Sequence, residues 1–184
     1  MNTTATRVYT IDAKHTSIGF SVRHLMIAKV RGTFGTVAGT IELGESGLIP
    51  TAVNAEIDIA SIDTREAQRD AHLRSPDFFH VEQHPVMRFT STGIEAEGDS
   101  RFRLTGELEI RGAKNTVTFE AEVGGHGPDP FGQGQRVAYE AKTKIKRSEF
   151  GLTYNSVLEA GGVAIGDDVE ITLDVEAVGA ATAA

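Results

Sequence analysis

Apolar and polar residues alternate along almost the whole chain, and a period of two is the signature of β-strand. Ile18, Phe20 and Val22 stand between Ser17, Gly19, Ser21 and Arg23. The same rhythm carries Val53, Ala55, Ile57 and Ile59; Met87, Phe89 and Ser91; and Phe102, Leu104, Gly106, Leu108 and Ile110. It continues through Val117, Phe119, Ala121 and Val123; Val137, Tyr139, Ala141, Thr143 and Ile145; and Val169, Ile171, Leu173 and Val175. One segment changes phase. Val30, Gly32 and Phe34 hold one parity, whereas Val37, Gly39, Ile41 and Leu43 hold the other, so a bulge or sharp bend is predicted near Gly35-Thr36. Counted from Ser17 there are eight main strands, preceded by a short lead-in, VYTID.

Strands with one polar face pair antiparallel, because buried parallel strands read as continuous apolar runs. Eight of them make a closed barrel or a two-sheet sandwich. Turn signals separate them: GESGLIP, EAEGDS, RGAKN and the long GGHGPDPFGQGQ. With no internal repeat and no linker, residues 1–184 form a single domain, its core running from about residue 8 to 178 with a frayed tail, including VGAATAA, after it.

Ile62 to Pro85, IDTREAQRDAHLRSPDFFHVEQHP, breaks the alternation. Asp63 followed by Glu66 forms a capping box that opens a helix, and the helix stops before Pro76. Ser75-Pro76-Asp77 starts one further turn, with proline in its favoured first position and Phe78 and Phe79 adjacent on it. So polar an insert is expected to lie across an opening, with Leu73, Phe78 and Phe79 closing one end.

The composition removes several classes of function. A net charge of -8 argues against nucleic acid, and Lys142, Lys144, Lys146 and Arg147 read as a solvated strand face. No cysteine means no disulfide, thiolate metal site or cysteine nucleophile. No apolar run approaches the roughly 20 residues of a membrane span. MNTTATRVYTID shows no apolar h-region of a signal peptide, so a cytoplasmic location is expected. No G-x-S-x-G elbow, Walker loop or dinucleotide fingerprint is present. His80 and His84 have helical metal-ligand spacing, but Pro85 follows at once, and exposed loop histidines are expected. No catalytic residue and no metal ligand is nominated.

The dry parity is rich in small residues: Gly32, Gly39, Ala55, Gly106, Ala121, Ala141 and Thr143. An eight-stranded barrel is near the size that side chains alone can fill. Small residues there either leave a tunnel, lined by Phe20, Phe34, Phe89, Phe102, Phe119 and Tyr139, or accommodate curvature and bulky neighbours. Pattern alone leaves the two readings equal.

YTIDAKHTSIGFSVRHL followed by KVRGTFGTVAGTI resembles the opening of the YceI-like family of lipid-binding proteins. HLRSPDFFHVEQHPVMRFTST is similar to that family's helix-to-strand segment, LTGELEIRGAKNTVTFE to its hairpin and IKRSEFGLTYN to its late motif. The resemblance implies an all-β fold, an eight-stranded antiparallel lipocalin-like barrel with a short helical insert between strands. It implies a tunnel that binds a long-chain polyisoprenoid or similar lipid, for transport, storage or sensing. No cofactor is expected beyond such a lipid, a polyisoprenoid or an isoprenoid-quinone-like molecule. A homodimer stays open. The expected ligand-binding residues are the aromatics above with Val22, His24, Ile41, Ala55, Ile57, Leu104, Leu108, Ala121, Ala141, Ile171 and Leu173, the insert's Leu73, Phe78 and Phe79, and Phe150 of the late motif. Two alternatives stand beside this reading: an enzyme acting on an isoprenoid or acyl lipid with His24 or His15 as base, and a structural barrel without ligand.

His24 continues the dry parity of SIGFSVRHL. A buried imidazole needs partners for both nitrogens. Either His15 or Asp12 supplies them at the barrel end, or His24 meets a lipid head group.

Overall fold

The structure is a computed structural model that describes residues 6–132 and 134–180. Its strands, in chain order, are β1 (Arg7–Ile11), β2 (Ser17–His24), β3 (Ala28–Phe34), β4 (Val37–Leu43), β5 (Pro50–Asp58), β6 (Ile62–Asp63), β7 (Val86–Ala96), β8 (Arg101–Ile110), β9 (Ala113–Pro128), β10 (Gly134–Lys146) and β11 (Ile165–Ala180). One α-helix, α1 (Ala67–Arg74), lies between β6 and β7. The strands make eight antiparallel staves. Three are broken in the middle, β1 with β2, β3 with β4 and β5 with β6, and each of the others is one strand.

Neighbours in sequence are neighbours in space, and β11 closes the ring by pairing with two strands in succession. Ile165 to Asp174 run beside β2, and Ala177 to Gly179 run beside β1. VYTID is therefore not a lead-in but the lower half of the first stave, paired on one side with β4 and on the other with β11. Up-and-down order also sorts the connections. The upper end carries the β2–β3 turn, the insert of residues 64–85, the β8–β9 turn and residues 147–164; the lower end carries the remaining turns.

Sequence and structure differ at several boundaries. Gly35 and Thr36 do form the predicted break between β3 and β4. The capping box does not form: Asp63 is the last residue of β6 and accepts from Arg65 N, while Glu66 caps α1 by accepting from Gln68 N and Arg69 N. The helix ends at Arg74, before Pro76, as its sequence requires. Much of the long Gly/Pro-rich turn is strand, because Gly125 to Pro128 pair with β10. Gly179 and Ala180, assigned above to the tail, belong to β11; the tail's last residues, 181–184, lie outside the described residues.

The lower end is packed shut. Tyr9, Leu43, Val137 and Ala177 are at most 4% exposed, and Tyr139 Oη donates to Leu48 O at 2.6 Å. Outside this plug Arg136 bridges Asp12, Asp129 and Glu176, each at 2.9 Å, and Asp12 also meets His15 Nδ1 at 2.8 Å. Hydrogen bonds from His15 and then Arg136 hold the Asp12 carboxyl down to about 2 from 3.8. A carboxyl depressed in the folded state stabilises the fold above its unfolded value and loses that contribution as pH falls through the folded one. The stability that Asp12 ionisation adds relative to Asp12→Asn should therefore be full above about pH 5 and fall away progressively to about pH 1, as read by urea denaturation across that range.

The glycines on the dry parity do not leave voids. A Cβ on Gly32 would stand 2.4 Å from the Phe20 ring, one on Gly106 2.4 Å from the Phe89 ring, and one on Gly39 2.2 Å from Asn54 O. Gly32 and Gly106 are the seats of neighbouring aromatic rings, which is the packing reading of the small residues at these positions. Gly106→Ala should cost about 1–3 kcal/mol, the usual range for overpacking, measured by equilibrium unfolding; an unchanged midpoint would mean that both the Phe89 ring and the Thr90 carbonyl move aside freely.

Candidate functional site

Above the plug the barrel is hollow. A cavity of about 510 Å³, within the usual range for small-molecule sites, is lined from Ile165 down to Val175 along β11. Ten residues of strand span roughly 33 Å, or about 25 Å along the axis at the usual barrel tilt. Its walls are apolar. Ile18, Phe20 and Val22 face in from β2, Ala121 and Ala141 stand directly opposite each other on β9 and β10, and Ile171 and Leu173 face in from β11. Aromatic rings meet at tilted or edge-on angles around it, Phe20–Phe34 at 5.6 Å, Phe34–Phe79 at 6.0 Å and Phe89–Phe119 at 5.5 Å, the arrangements that ring quadrupoles favour. Many inward side chains, among them Phe20, Val22, Ala55, Ala141 and Leu173, are only half-buried because they face this space.

The structure brings all but one of the expected residues to this cavity. Phe20, Val22, His24, Phe34, Ile41, Ala55, Ile57, Leu73, Phe78, Phe79, Phe89, Phe102, Leu104, Leu108, Phe119, Ala121, Tyr139, Ala141, Ile171 and Leu173 line it. Phe150 does not; it is buried in the core behind the wall, 1% exposed, at the end of the short 3-10 turn Arg147–Phe150.

His24 lines the cavity at its edge, but it is exposed, not buried. β2 outruns the roof, so inward parity no longer means burial. Neither His15 nor Asp12 is its partner: they sit together at the junction of β1 and β2, midway along the stave and at the opposite end of β2 from His24. His15 is half exposed and does not line the cavity. His80 and His84 are half-buried, not exposed; their rings are 6.2 Å apart across one hydrogen-bonded turn, His84 N to His80 O. Among the described residues no three His, Asp or Glu side chains gather as a metal site.

The roof comes from two segments at the upper end. β5 pairs with β7 as far as Asp58 and Val86, beyond which β6 leaves to pair with β3. The insert fills the gap. Thr64, buried under α1, donates Oγ1 to Asp70 Oδ1 and accepts from Arg69 Nε at 2.8 Å. Phe78 is buried against His72 and Tyr154, with ring centroids 5.0 and 5.1 Å away, and His72 also meets Asp77 at 2.8 Å. Tyr154 belongs to the second segment, residues 151–164, which Arg147 holds down. Its buried guanidinium donates to the carbonyls of Gly166, Leu152, Tyr154 and Ile165, and Asn155 pairs with Ile165 through both its amide groups. Burial lowers the Arg147 pKa, against the pull of Asp167.

The charged and most of the polar side chains on the cavity therefore collect at its mouth, on Arg23, His24, Thr64, Arg69, His72, Arg147, Tyr154 and Ser156, while the deeper hydroxyls of Thr16 and Tyr139 are spent on the carbonyls of Glu176 and Leu48 and the rest of the depth is hydrocarbon. Parity reaches His24 at the end of β2 but is silent on Thr64, Arg69, His72, Tyr154 and Ser156, which lie outside strands; IKRSEFGLTYN is the sequence signal for Arg147 and Tyr154. Among the described residues no buried side-chain nitrogen or oxygen lacks a hydrogen-bond partner, so nothing in the depth calls for a polar ligand. Tyr139, the one hydroxyl there with a burial-raised pKa, is spent on Leu48 O.

A family model described as the YceI-like domain matches residues 9–177. Protein YceI of Salmonella newport is 37% identical over 172 residues, which cover 92% of this chain and 86% of that one. The crystal structure of the Campylobacter jejuni YCEI protein superposes with a TM-score of 0.73 at 30% identity, covering 85% of this chain and 88% of that one. A polyisoprenoid binding domain from Saccharophagus degradans, implicated in plant cell wall breakdown, shares the fold with a TM-score of 0.69 at 16% identity over 93% of this chain and 98% of its own.

Arg147→Ala removes a donor from four carbonyls, of which Ile165 O keeps Asn155 Nδ2, and should lower the unfolding free energy by about 1–3 kcal/mol. It should also speed protease cleavage within residues 152–164, read by limited proteolysis. Unchanged cleavage would show that the segment is held by other contacts.

Proposed function

Because the chain belongs to the YceI-like family, we propose that it binds a long-chain isoprenoid lipid inside the barrel, tail toward the plug and polar end at the mouth. The observation that carries this reading is the division of the cavity: its depth is mainly apolar, with the hydroxyls of Thr16 and Tyr139 bonded within the protein, and its charged side chains stand at one end. That division matches a molecule with a long hydrocarbon chain and a single small polar group. The polyisoprenoid-binding neighbour supports the same ligand class through its shared fold. Binding is hydrophobic. Each methylene buried contributes about 0.8 kcal/mol, so affinity rises with chain length until the tail meets the plug and then levels off. Leu73, Phe78 and Phe79 of the insert form part of the roof over the ligand.

Holding rather than transforming the lipid is the use that the site chemistry supports. Thr64, Arg69 and Asp70 are hydrogen-bonded to one another, Arg147 to backbone carbonyls and Tyr139 to Leu48. His24 and His72 are on the mouth, not beside the depth where a chain would lie. Carriage between sites, with the mouth as the point of exchange, is the role we assign.

Ala141 tests the assignment. It faces Ala121 on β9 and Leu173 on β11 midway down the cavity. Ala141→Phe should weaken binding of geranylgeraniol and longer prenols at least tenfold while costing about 1–3 kcal/mol of stability, with the native chain showing the rise and plateau over a series of prenol lengths in a fluorescence competition assay. Equal affinity of variant and native chain for the longest prenols, or no dependence on length, would overturn the reading.

A further inference from the structure

Six of the eight large hydrophobic side chains that are exposed among the described residues lie at the upper end, on two neighbouring segments: Leu25, Met26, Ile27, Tyr154, Val157 and Val163. Ile27 is 81% exposed and Val157 85%. The first three form the β2–β3 turn. The last two face each other in a small antiparallel bridge within residues 156–163. Leu25 N donates to Ala164 O at 2.8 Å and ties the two tips side by side. Between and behind them opens the mouth of the cavity, since Arg23, His24, Ser156 and Ala164 line it.

The turn is built at a backbone disadvantage. Leu25 and Met26 both have positive φ, 51° and 58°, a conformation that Asn-Gly adopts readily in hairpins and that bulky residues disfavour. Two large apolar side chains kept in a strained turn and turned to water serve neither folding nor solubility, and observed strain of this kind points to function.

We propose that these two tips dock the mouth of the barrel onto a lipid bilayer by inserting into its head-group boundary. The proposal rests on the isoprenoid-binding reading above, because a long isoprenoid resides in membranes and must enter the mouth from one. The charges say how docking works. Between them, LMIA and SVLEAGGV carry one charged residue, Glu159, and the chain has a net charge of -8. Two cations stand beside the turn, Arg23 at the mouth and Lys29, which is already paired with Glu170; together with Glu159 and the acidic chain they make no basic patch. Attraction to anionic lipid is therefore not the driving force; insertion of apolar side chains is, and docking should be as strong on zwitterionic as on anionic vesicles.

The test uses the full chain with phosphatidylcholine vesicles, with and without phosphatidylglycerol, some carrying geranylgeraniol. The native chain should float with both vesicle types. Ile27→Asp with Val157→Asp, two exposed positions off the cavity lining, should reduce flotation and the rate of geranylgeraniol pick-up from vesicles at least tenfold. Its affinity for geranylgeraniol delivered from cyclodextrin, and its Tm, should stay at the native values. Leu25→Asn with Met26→Gly should lose flotation while Tm rises, because the turn then suits its φ angles. Docking is overturned if the native chain fails to float, if the Asp variant floats equally well, or if sedimentation shows a native dimer that the Asp variant splits, which would assign the patch to a second copy. Failure of the native chain to bind geranylgeraniol from cyclodextrin overturns the isoprenoid reading instead, and flotation then decides docking by itself.

Discussion

Three neighbouring staves bend at one level, and the clamp at that level is the hydroxyl of Ser61. Its Oγ accepts from the amides of Gly35 and Thr36, each at 3.1 Å, and donates to Asp58 O at 2.6 Å. Asp58 N in turn donates to Thr36 O, and Ile59 N to Pro85 O. The first stave breaks beside them, where Asp12 caps the short turn Ala13–His15 and Thr16 exchanges hydrogen bonds with Glu176. Below the bends the staves close tightly around Tyr9 and Leu43. Above them β2, β3 and β6 stay together but β6 parts from β7. The bends thus divide a plugged lower end from a splayed upper one, and the insert and residues 151–164 are the roof that the splaying requires.

That division gives small residues two different meanings. Gly32 and Gly106 yield their space to the rings of Phe20 and Phe89, so they help to fill the barrel. Ala121, paired with Phe102 on β8, and Ala141, opposite it on β10, line the cavity. The hollow is the product of where alanine stands rather than of how many small residues there are. Because the polar groups near it are already matched within the protein, a ligand gains from burying hydrocarbon and loses little by finding no polar partner in the depth.

Much of this was legible in the alternation. Parity alone assigns Phe20, Val22, Ala55, Phe89, Phe102, Phe119 and Leu173 to the inside, since each lies on a strand whose two neighbours are fixed by short turns. Parity fails where a strand outruns its surroundings, as at His24, and where diagonal neighbours matter, as at Gly106. It is silent outside strands, which is why Arg69, Tyr154 and Ser156 of the mouth went unnamed. The spacing of Asp63 to Glu66 fits a helix cap, but pairing of Ile62 and Asp63 with β3 holds Asp63 in a strand and passes the cap to Glu66. Arg147 and Asn155 were visible only as part of a family-like motif; that they fasten a roof segment through backbone carbonyls is a tertiary fact with no local period to announce it.

The central claim is that the hollow above the plug holds an isoprenoid chain. Native mass spectrometry of the freshly purified full chain, before and after incubation with a mixture of prenols, tests it most directly. The account predicts one bound molecule per barrel, drawn from the mixture with a preference for long chains and retained as an intact mass that differs between prenols by whole isoprene units. A barrel that stays empty in excess geranylgeraniol and longer prenols, or that takes up short and long prenols alike, would contradict it.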